Sequence, residues 1–208
     1  MSSGNVKRLG ILLSGRGSNF LAIADSVYAG ILRDVAEIGI VISNIAGAPG
    51  LAKARALQLP AAVFESKGRK RAEHDADVAA CLREYEVDLV ILAGYMRLLS
   101  PEFVAAFPNK ILNIHPSLLP AFPGLEAQQQ ALDYGCKVAG CTVHFVDEHL
   151  DHGVIILQRS IVVEDSDDAH ELSERILTEE HKAYPEAIAR VLSGRFQIDG
   201  RRYLPRPD

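Results

Sequence analysis

The chain has 208 residues, of which 48% are hydrophobic, and a formal net charge of −5. That apolar content is ample for a packed core, excludes a disordered chain, and at this length favours a single domain. The acidic balance, with no basic run beyond Lys67-Gly68-Arg69-Lys70-Arg71, excludes the broad cationic face that nucleic-acid binding needs. The three cysteines form no CxxC pair, so the chain reads as reduced and cytoplasmic. Residues 1–8 carry no signal-like apolar stretch, and apolar runs such as Leu89-Val90-Ile91-Leu92-Ala93 are far too short to span a bilayer.

In chain order, short apolar runs alternate with helical patterns. Leu9 to Leu13 predicts a strand, and Phe20, Ile23, Ala24 and Val27 give a helix stopped at Gly30. A strand at Ile38–Ile42, a helix over 51–59 and an extended piece at 61–64 follow. Next come a helix over 74–86, a strand over 88–93, a short helix from Pro101 and a strand at Ile111–Ile114. These strands are apolar throughout rather than alternating, as in a parallel sheet covered on both faces, so the first half is predicted to be doubly wound α/β.

After a helix over 128–134 the character changes. Segments 138–146 and 154–163 are longer and more alternating, which predicts an antiparallel pair at the sheet edge. A long helix is expected over 168–192. It opens on a capping box of Asp168 and Glu171, should be kinked by Pro185 and ends at Gly194. The organisation expected is one domain over 1–208, with a phosphate-binding half (1–112), a catalytic half (113–194) and a polar, peripheral tail (195–208).

Three stretches carry chemistry. Ser14-Gly15-Arg16-Gly17-Ser18-Asn19 joins the first strand to the first helix, where backbone N–H groups and a helix N-terminus attract a phosphate. The bland alternative is a tight turn with Ser18 or Asn19 as N-cap. A dinucleotide site is disfavoured, because Phe20 stands where its third glycine belongs and Ser43-Asn44 where an acid would hold the ribose. No Walker pattern occurs. A single phosphate on a small substrate fits better.

The second stretch is Asn113-Ile114-His115-Pro116-Ser117-Leu118-Leu119-Pro120. Asn113 and His115 are two apart in a strand and share a face. An amide and an imidazole together can donate to the oxyanion of a carbonyl addition, and the imidazole can move a proton. The alternative is a structural histidine beside a turn asparagine. The third stretch, His144 to Gly153, is rich in metal-ligand types, but no HExxH or CxxC spacing occurs, so no metal is expected. A carboxylate from it can instead orient His115, and Asp147 and Asp151 both qualify on this ground.

Together and in this order, these stretches resemble the glycinamide ribonucleotide formyltransferases of purine biosynthesis, from about Lys7 to Leu192. The most specific parts are Asn113 to Pro120 with Pro123-Gly124, then Val143-His144-Phe145-Val146 with Leu150-Asp151. The opening Gly15-Arg16-Gly17-Ser18-Asn19 separates this branch from related formyl enzymes. The resemblance implies a Rossmann-like formyltransferase fold and 10-formyltetrahydrofolate as co-substrate, with no metal. It implies Asn113, His115 and Asp151 as catalytic residues with His144 in support. Gly17, Ser18, Asn19 and Glu180 would hold the ribonucleotide. Arg71, Met96, Arg97, Leu98, Leu99 and Asp147, with Asn113 and Asp151, would face the folate.

The partners implied are small molecules, neither nucleic acid nor membrane, and a homodimer is compatible with the pattern. The chain departs from the family in His152-Gly153-Val154 after Asp151 and in the stretch from Glu126 to Gln129. A formyltetrahydrofolate hydrolase, with water replacing the amine, is the alternative.

Overall fold

The computed structural model describes residues 6–206. Seven strands lie in the hydrogen-bonded order β3-β2-β1-β4-β5-β6-β7: β1 Lys7–Leu13, β2 Ala36–Ser43, β3 Ala61–Val63, β4 Leu89–Leu92, β5 Ile111–His115, β6 Val138–Phe145 and β7 Ile155–Val162. β1 pairs in parallel with β2 and β4, and β2 with β3, whereas β6 and β7 pair antiparallel. Helices cover both sides of this mostly parallel sheet. The doubly wound α/β class with an antiparallel extension is therefore the observed fold. By contact density the chain divides into two compact units, Met1–Leu112 and Asn113–Asp208.

In the first unit, α1 Ser18–Ala29, α2 Pro49–Ala56, α3 Arg71–Glu84 and α4 Pro101–Ala106 accompany the strands. Leu9, Ile11, Leu12, Leu13, Ile40, Val41, Ile42, Val90 and Ile91 are buried, so the uninterrupted apolar runs follow from burial on both faces. Each such Leu or Ile contributes about 1.5–3 kcal/mol of burial energy. Ser100 caps α4 by accepting from the Phe103 N–H, with Pro101 at the first helical position.

In the second unit, α5 Ala127–Tyr134 precedes the β6–β7 pair, and α6 runs Ala169–Leu192. Its capping box is present: Asp168 Oδ1 accepts from the Glu171 N–H at 2.8 Å, and Glu171 Oε2 accepts from the Asp168 N–H at 3.1 Å. The helix continues through Pro185. Its buried face, Leu172, Ile176, Ala183, Tyr184, Ala187 and Ile188, also contains Glu180.

The tail, expected only to be polar and peripheral, carries a hairpin. Phe196–Asp199 and Arg202–Pro205 form a hairpin, β8–β9, in which Asp199 faces Arg202 across the two-residue loop Gly200-Arg201. Gly200, at φ 58°, supplies the positive φ that a two-residue hairpin loop needs. The Asp-Gly signal and the apolar residues Phe196, Ile198, Tyr203 and Leu204 are in the sequence but are short and embedded among charges. Tyr203 stacks on Phe196 and meets Phe145 edge-on at 5.8 Å. Among the described residues no helix is long and apolar enough to cross a membrane.

Candidate active site

In the first unit, the turn after β1 is shaped by backbone crowding. Gly17 has φ 71°, and a Cβ there would lie 2.8 Å from Gly50 Cα. Gly50 itself donates its N–H to the Gly15 carbonyl at 3.0 Å, and a Cβ on it would strike the Leu13 side chain. Lys53 Nζ donates to the Arg16 carbonyl at 2.8 Å. Only glycine fits the two facing positions, so the turn holds one shape. Gly17 occupies the N-cap position of α1, and no side-chain hydrogen bond caps the helix. The Ser18 or Asn19 cap considered above does not form: Ser18 begins the helix itself, and Asn19 is buried within it. A helix N-terminus without a side-chain cap, entered through a glycine turn, is chemically an anion receptor.

The ends of β1 and β2 are tied to the segment after β4. Ser14 Oγ donates to Asn44 Oδ1 at 2.6 Å and accepts from the Met96 N–H at 2.8 Å. Asn44 Nδ2 donates to Ser66 Oγ at 3.1 Å. Asn44, which lacks the charge to hold a ribose in a dinucleotide site, thus does structural work. Buried Asp75 accepts from the Ser100 N–H at 2.6 Å, lies 3.1 Å from His74 Nδ1, and has Arg97 Nε at 3.9 Å. These contacts fix both ends of the segment carrying Met96, Arg97, Leu98 and Leu99. On it Met96 is 75% exposed and Leu98 53%, an apolar surface for a flat ligand. Arg71 opens α3 and is exposed.

In the second unit, a cluster of polar side chains meets at the end of β5. His115 Nε2–H donates to the Phe122 carbonyl at 2.8 Å, and Nδ1 lies 3.3 Å from Asp151 Oδ2. A ring protonated on both nitrogens therefore finds an acceptor on each side. Asp151 Oδ2 also accepts from the Gly124 N–H at 2.8 Å, and its Oδ1 is 3.8 Å from His144 Nε2. The Asp151 and His115 side chains are 8% and 6% exposed, so their attraction is little screened by solvent. Asp151 adopts φ 48°, in the left-handed region.

His144 completes the group. Its Nδ1 faces the Phe145 carbonyl at 2.7 Å, and its Nε2 is 3.3 Å from Asn113 Nδ2. Burial, the largest influence, holds its pKa below the usual 6.5, although the Phe145 carbonyl and Asp151 oppose this. A neutral ring with its proton on Nδ1 accepts one Asn113 N–H at Nε2. That fixes the amide and leaves its second N–H to donate elsewhere.

The loop after β5 is held by β6 and β7. Thr142 Oγ1 donates to the Ser117 carbonyl at 2.7 Å and accepts from the Leu119 N–H at 3.0 Å, while Gln158 Nε2 donates to the Leu119 carbonyl at 2.9 Å. Ser117 Oγ donates to the Ala121 carbonyl at 2.6 Å. Sequence patterning did not reveal these tethers, nor the Phe122 and Gly124 backbone partners, because each joins residues whose separation carries no periodicity.

Of the two aspartates, Asp151 stands beside His115. Asp147 turns away: its Oδ2 is 2.8 Å from His152 Nδ1, and its Oδ1 accepts from the His149 N–H at 2.9 Å. Burial alone would raise the Asp147 carboxyl, but the hydrogen bonds from His152 and the His149 N–H outweigh it and hold the carboxyl below its usual value. Asp147, His149 and His152 bring their ligand atoms within 4.8 Å of one another. Glu180 is buried on the apolar stripe of α6, where an aliphatic side chain would ordinarily stand. That misplaced acid is a physical signal readable in the helical pattern. Cys141 is not a nucleophile candidate: burial, with nearby Glu180 adding, pushes its thiol up to about 12.

The sequence pattern of the formyl transferase family matches residues 7–188. The chain is 46% identical over 192 residues to the human "trifunctional purine biosynthetic protein adenosine-3", covering 92% of this chain but only 19% of that protein. The chain thus spans about a fifth of that multifunctional relative. It is 40% identical over 201 residues to the phosphoribosylglycinamide formyltransferase of Haemophilus influenzae, covering 96% of this chain and 94% of the relative. The crystal structure of glycinamide ribonucleotide transformylase 1 from Symbiobacterium toebii superposes with a TM-score of 0.94 at 48% identity, with 100% of each chain covered. With the matched pattern running from β1 through most of α6, the chain belongs to the formyl transferase family.

Proposed function

We propose that the chain transfers the formyl group of 10-formyltetrahydrofolate to the primary amine of 5'-phosphoribosylglycinamide. The products are N-formylglycinamide ribonucleotide and tetrahydrofolate, in the purine (IMP) pathway. The observation that carries this reading is the pairing of His115 with Asp151 beside an Asn113 amide whose orientation His144 fixes.

The amine nitrogen attacks the formyl carbon, and the carbonyl oxygen becomes an oxyanion. Asn113 donates its remaining N–H to it. His115 donates its Nε2 N–H, which the oxyanion takes over from the Phe122 carbonyl. The adduct nitrogen loses a proton, Asp151 relays it through a water, and N10 of the folate receives it as the carbon–N10 bond breaks. The buried Asp151 carboxyl, with Oδ2 at 3.3 Å from His115 Nδ1, orients the ring.

Gly17, Ser18 and Asn19 hold the substrate phosphate at the α1 N-terminus, and Glu180 contacts the glycinamide portion. Met96, Arg97, Leu98 and Leu99 face the folate, Asp147 is given the same role, and Arg71 reaches the anionic glutamate tail. No metal takes part in these steps.

The test is tetrahydrofolate release from 10-formyltetrahydrofolate with and without the amine substrate. Release that requires the amine is expected. Equal release without it would turn the reading to a hydrolase, and no release in either case would reject formyl chemistry.

A further inference from the structure

The hairpin β8–β9 lies beyond the family-matched residues 7–188. At its tip, the Arg201 guanidinium reaches the loop between β6 and β7. Nη1 lies 3.0 Å from His152 Nε2, and Nη2 donates to the His152 carbonyl at 2.5 Å. His152 in turn sets Nδ1 2.8 Å from Asp147 Oδ2. Nη1 is also 3.4 Å from His152 Nδ1, so the guanidinium lies against the face of the ring that meets Asp147, and cation, imidazole and carboxylate stand in series. The guanidinium stands next to the imidazole that a divalent ion would need. We therefore read the Asp147, His149 and His152 group as a brace closed by arginine rather than as a metal site.

This brace flanks Asp151. Asp151 is a non-glycine residue at φ 48°, a conformation that persists only when its surroundings determine it. On one side Gly153 is squeezed so tightly that a Cβ would lie 1.8 Å from the Phe145 carbonyl oxygen. On the other side Asp147 binds the His149 N–H and closes the start of the loop. Arg201 grips His152 between these two points. The hairpin that presents Arg201 is seated by Tyr203 against Phe145, the residue that also accepts from His144.

We propose that the C-terminal hairpin is a positioning element for the reaction: Arg201 clamps the imidazole and carbonyl of His152 and so holds Asp151 in its left-handed conformation facing His115. This rests on the role given to Asp151 above. Arg201 touches neither substrate in this account. Its effect on turnover passes through the Asp151 carboxylate, so it should appear in kcat and not in the KM for the ribonucleotide.

The experiment compares steady-state kinetics and melting temperature for wild type, Arg201→Ala, Arg201→Lys, Arg202→Ala, Asp151→Asn and the double variant Asp151→Asn/Arg201→Ala. Arg201→Ala is expected to lower kcat about 10-fold, in line with the loss from a small misplacement of a catalytic group. The ribonucleotide KM should stay within about twofold, and the melting temperature nearly constant, because the clamp is exposed. Arg201→Lys, which keeps one donor for the carbonyl, should recover part of the loss. Arg202→Ala, which removes the neighbouring charge, should change nothing.

In the Asp151→Asn background, Arg201→Ala should cost nothing further, a result that a general loosening of the fold would not give. Near-normal kcat for Arg201→Ala, or losses that multiply in the double variant, would overturn the brace. If instead Asp151→Asn alone turned over normally, the role of Asp151 would fall, and the brace with it.

Discussion

The turn after β1 and the cluster after β5 solve different problems with different materials. The turn is made from backbone. A Cβ on Gly17 would lie 2.8 Å from Gly50 Cα, a Cβ on Gly50 would lie 2.8 Å from the Leu13 side chain, and no side-chain hydrogen bond caps α1. The cluster is made from side chains: His115, Asp151, His144 and Asn113 meet one another at 3.3 to 3.8 Å and fix one another's orientation. A shape built from backbone binds a constant ligand group such as phosphate. A set of coupled side chains can change charge during a reaction. Damage to the first should therefore appear in substrate affinity, and damage to the second in turnover.

The largest expected effect is on the second. Asn113→Ala removes the proposed oxyanion donor and should reduce kcat about 100- to 1,000-fold, with the ribonucleotide KM little altered. Steady-state kinetics checks this, and a change confined to KM would make the cluster a binding surface only. Next is Gly17→Ala. Its new Cβ meets Gly50 Cα at 2.8 Å in a left-handed backbone, so the turn must open. The ribonucleotide KM should rise by about 10-fold, and unfolding free energy should fall by about 1–3 kcal/mol. A kcat defect with unchanged KM would erase the distinction between the two regions.

The smallest effect concerns pH. Burial, first among the influences on it, depresses the His144 pKa, so the unfolded chain binds that proton more readily than the folded one. The stability associated with neutral His144 is complete above its ordinary value of 6.5 and is lost as pH falls below it toward the folded value. Denaturant unfolding at about pH 7.5 and about pH 5.5 should show wild type losing more stability than His144→Gln. Equal losses would mean that the ring is not held neutral.

Much of the scaffold was legible because it is periodic. Unbroken apolar runs marked β1, β2 and β4, and the stripe from Leu172 to Ile188 with the Asp168–Glu171 box marked α6. The shared face of Asn113 and His115 followed from strand geometry. The choice between Asp147 and Asp151 did not, because loop backbone decides it: the positive φ of Asp151 aims it at His115, while Asp147 is taken up by His152. The hairpin was missed for a related reason. Its strands are short, and Tyr203 finds its partner at Phe145, far away in sequence, where no local pattern points. The Phe122 carbonyl and the Gly124 N–H were invisible because backbone partners carry no residue signature.

The central claim is that His115 and Asp151 act as one unit. A double-mutant cycle of His115→Gln and Asp151→Asn, read as kcat for amine-dependent tetrahydrofolate release, tests it most directly. Each single variant should lose about 100- to 1,000-fold. The double variant should be no slower than the worse single one, because a broken pair cannot be broken twice. Losses that multiply in the double variant would contradict the account, since the two side chains would then act independently.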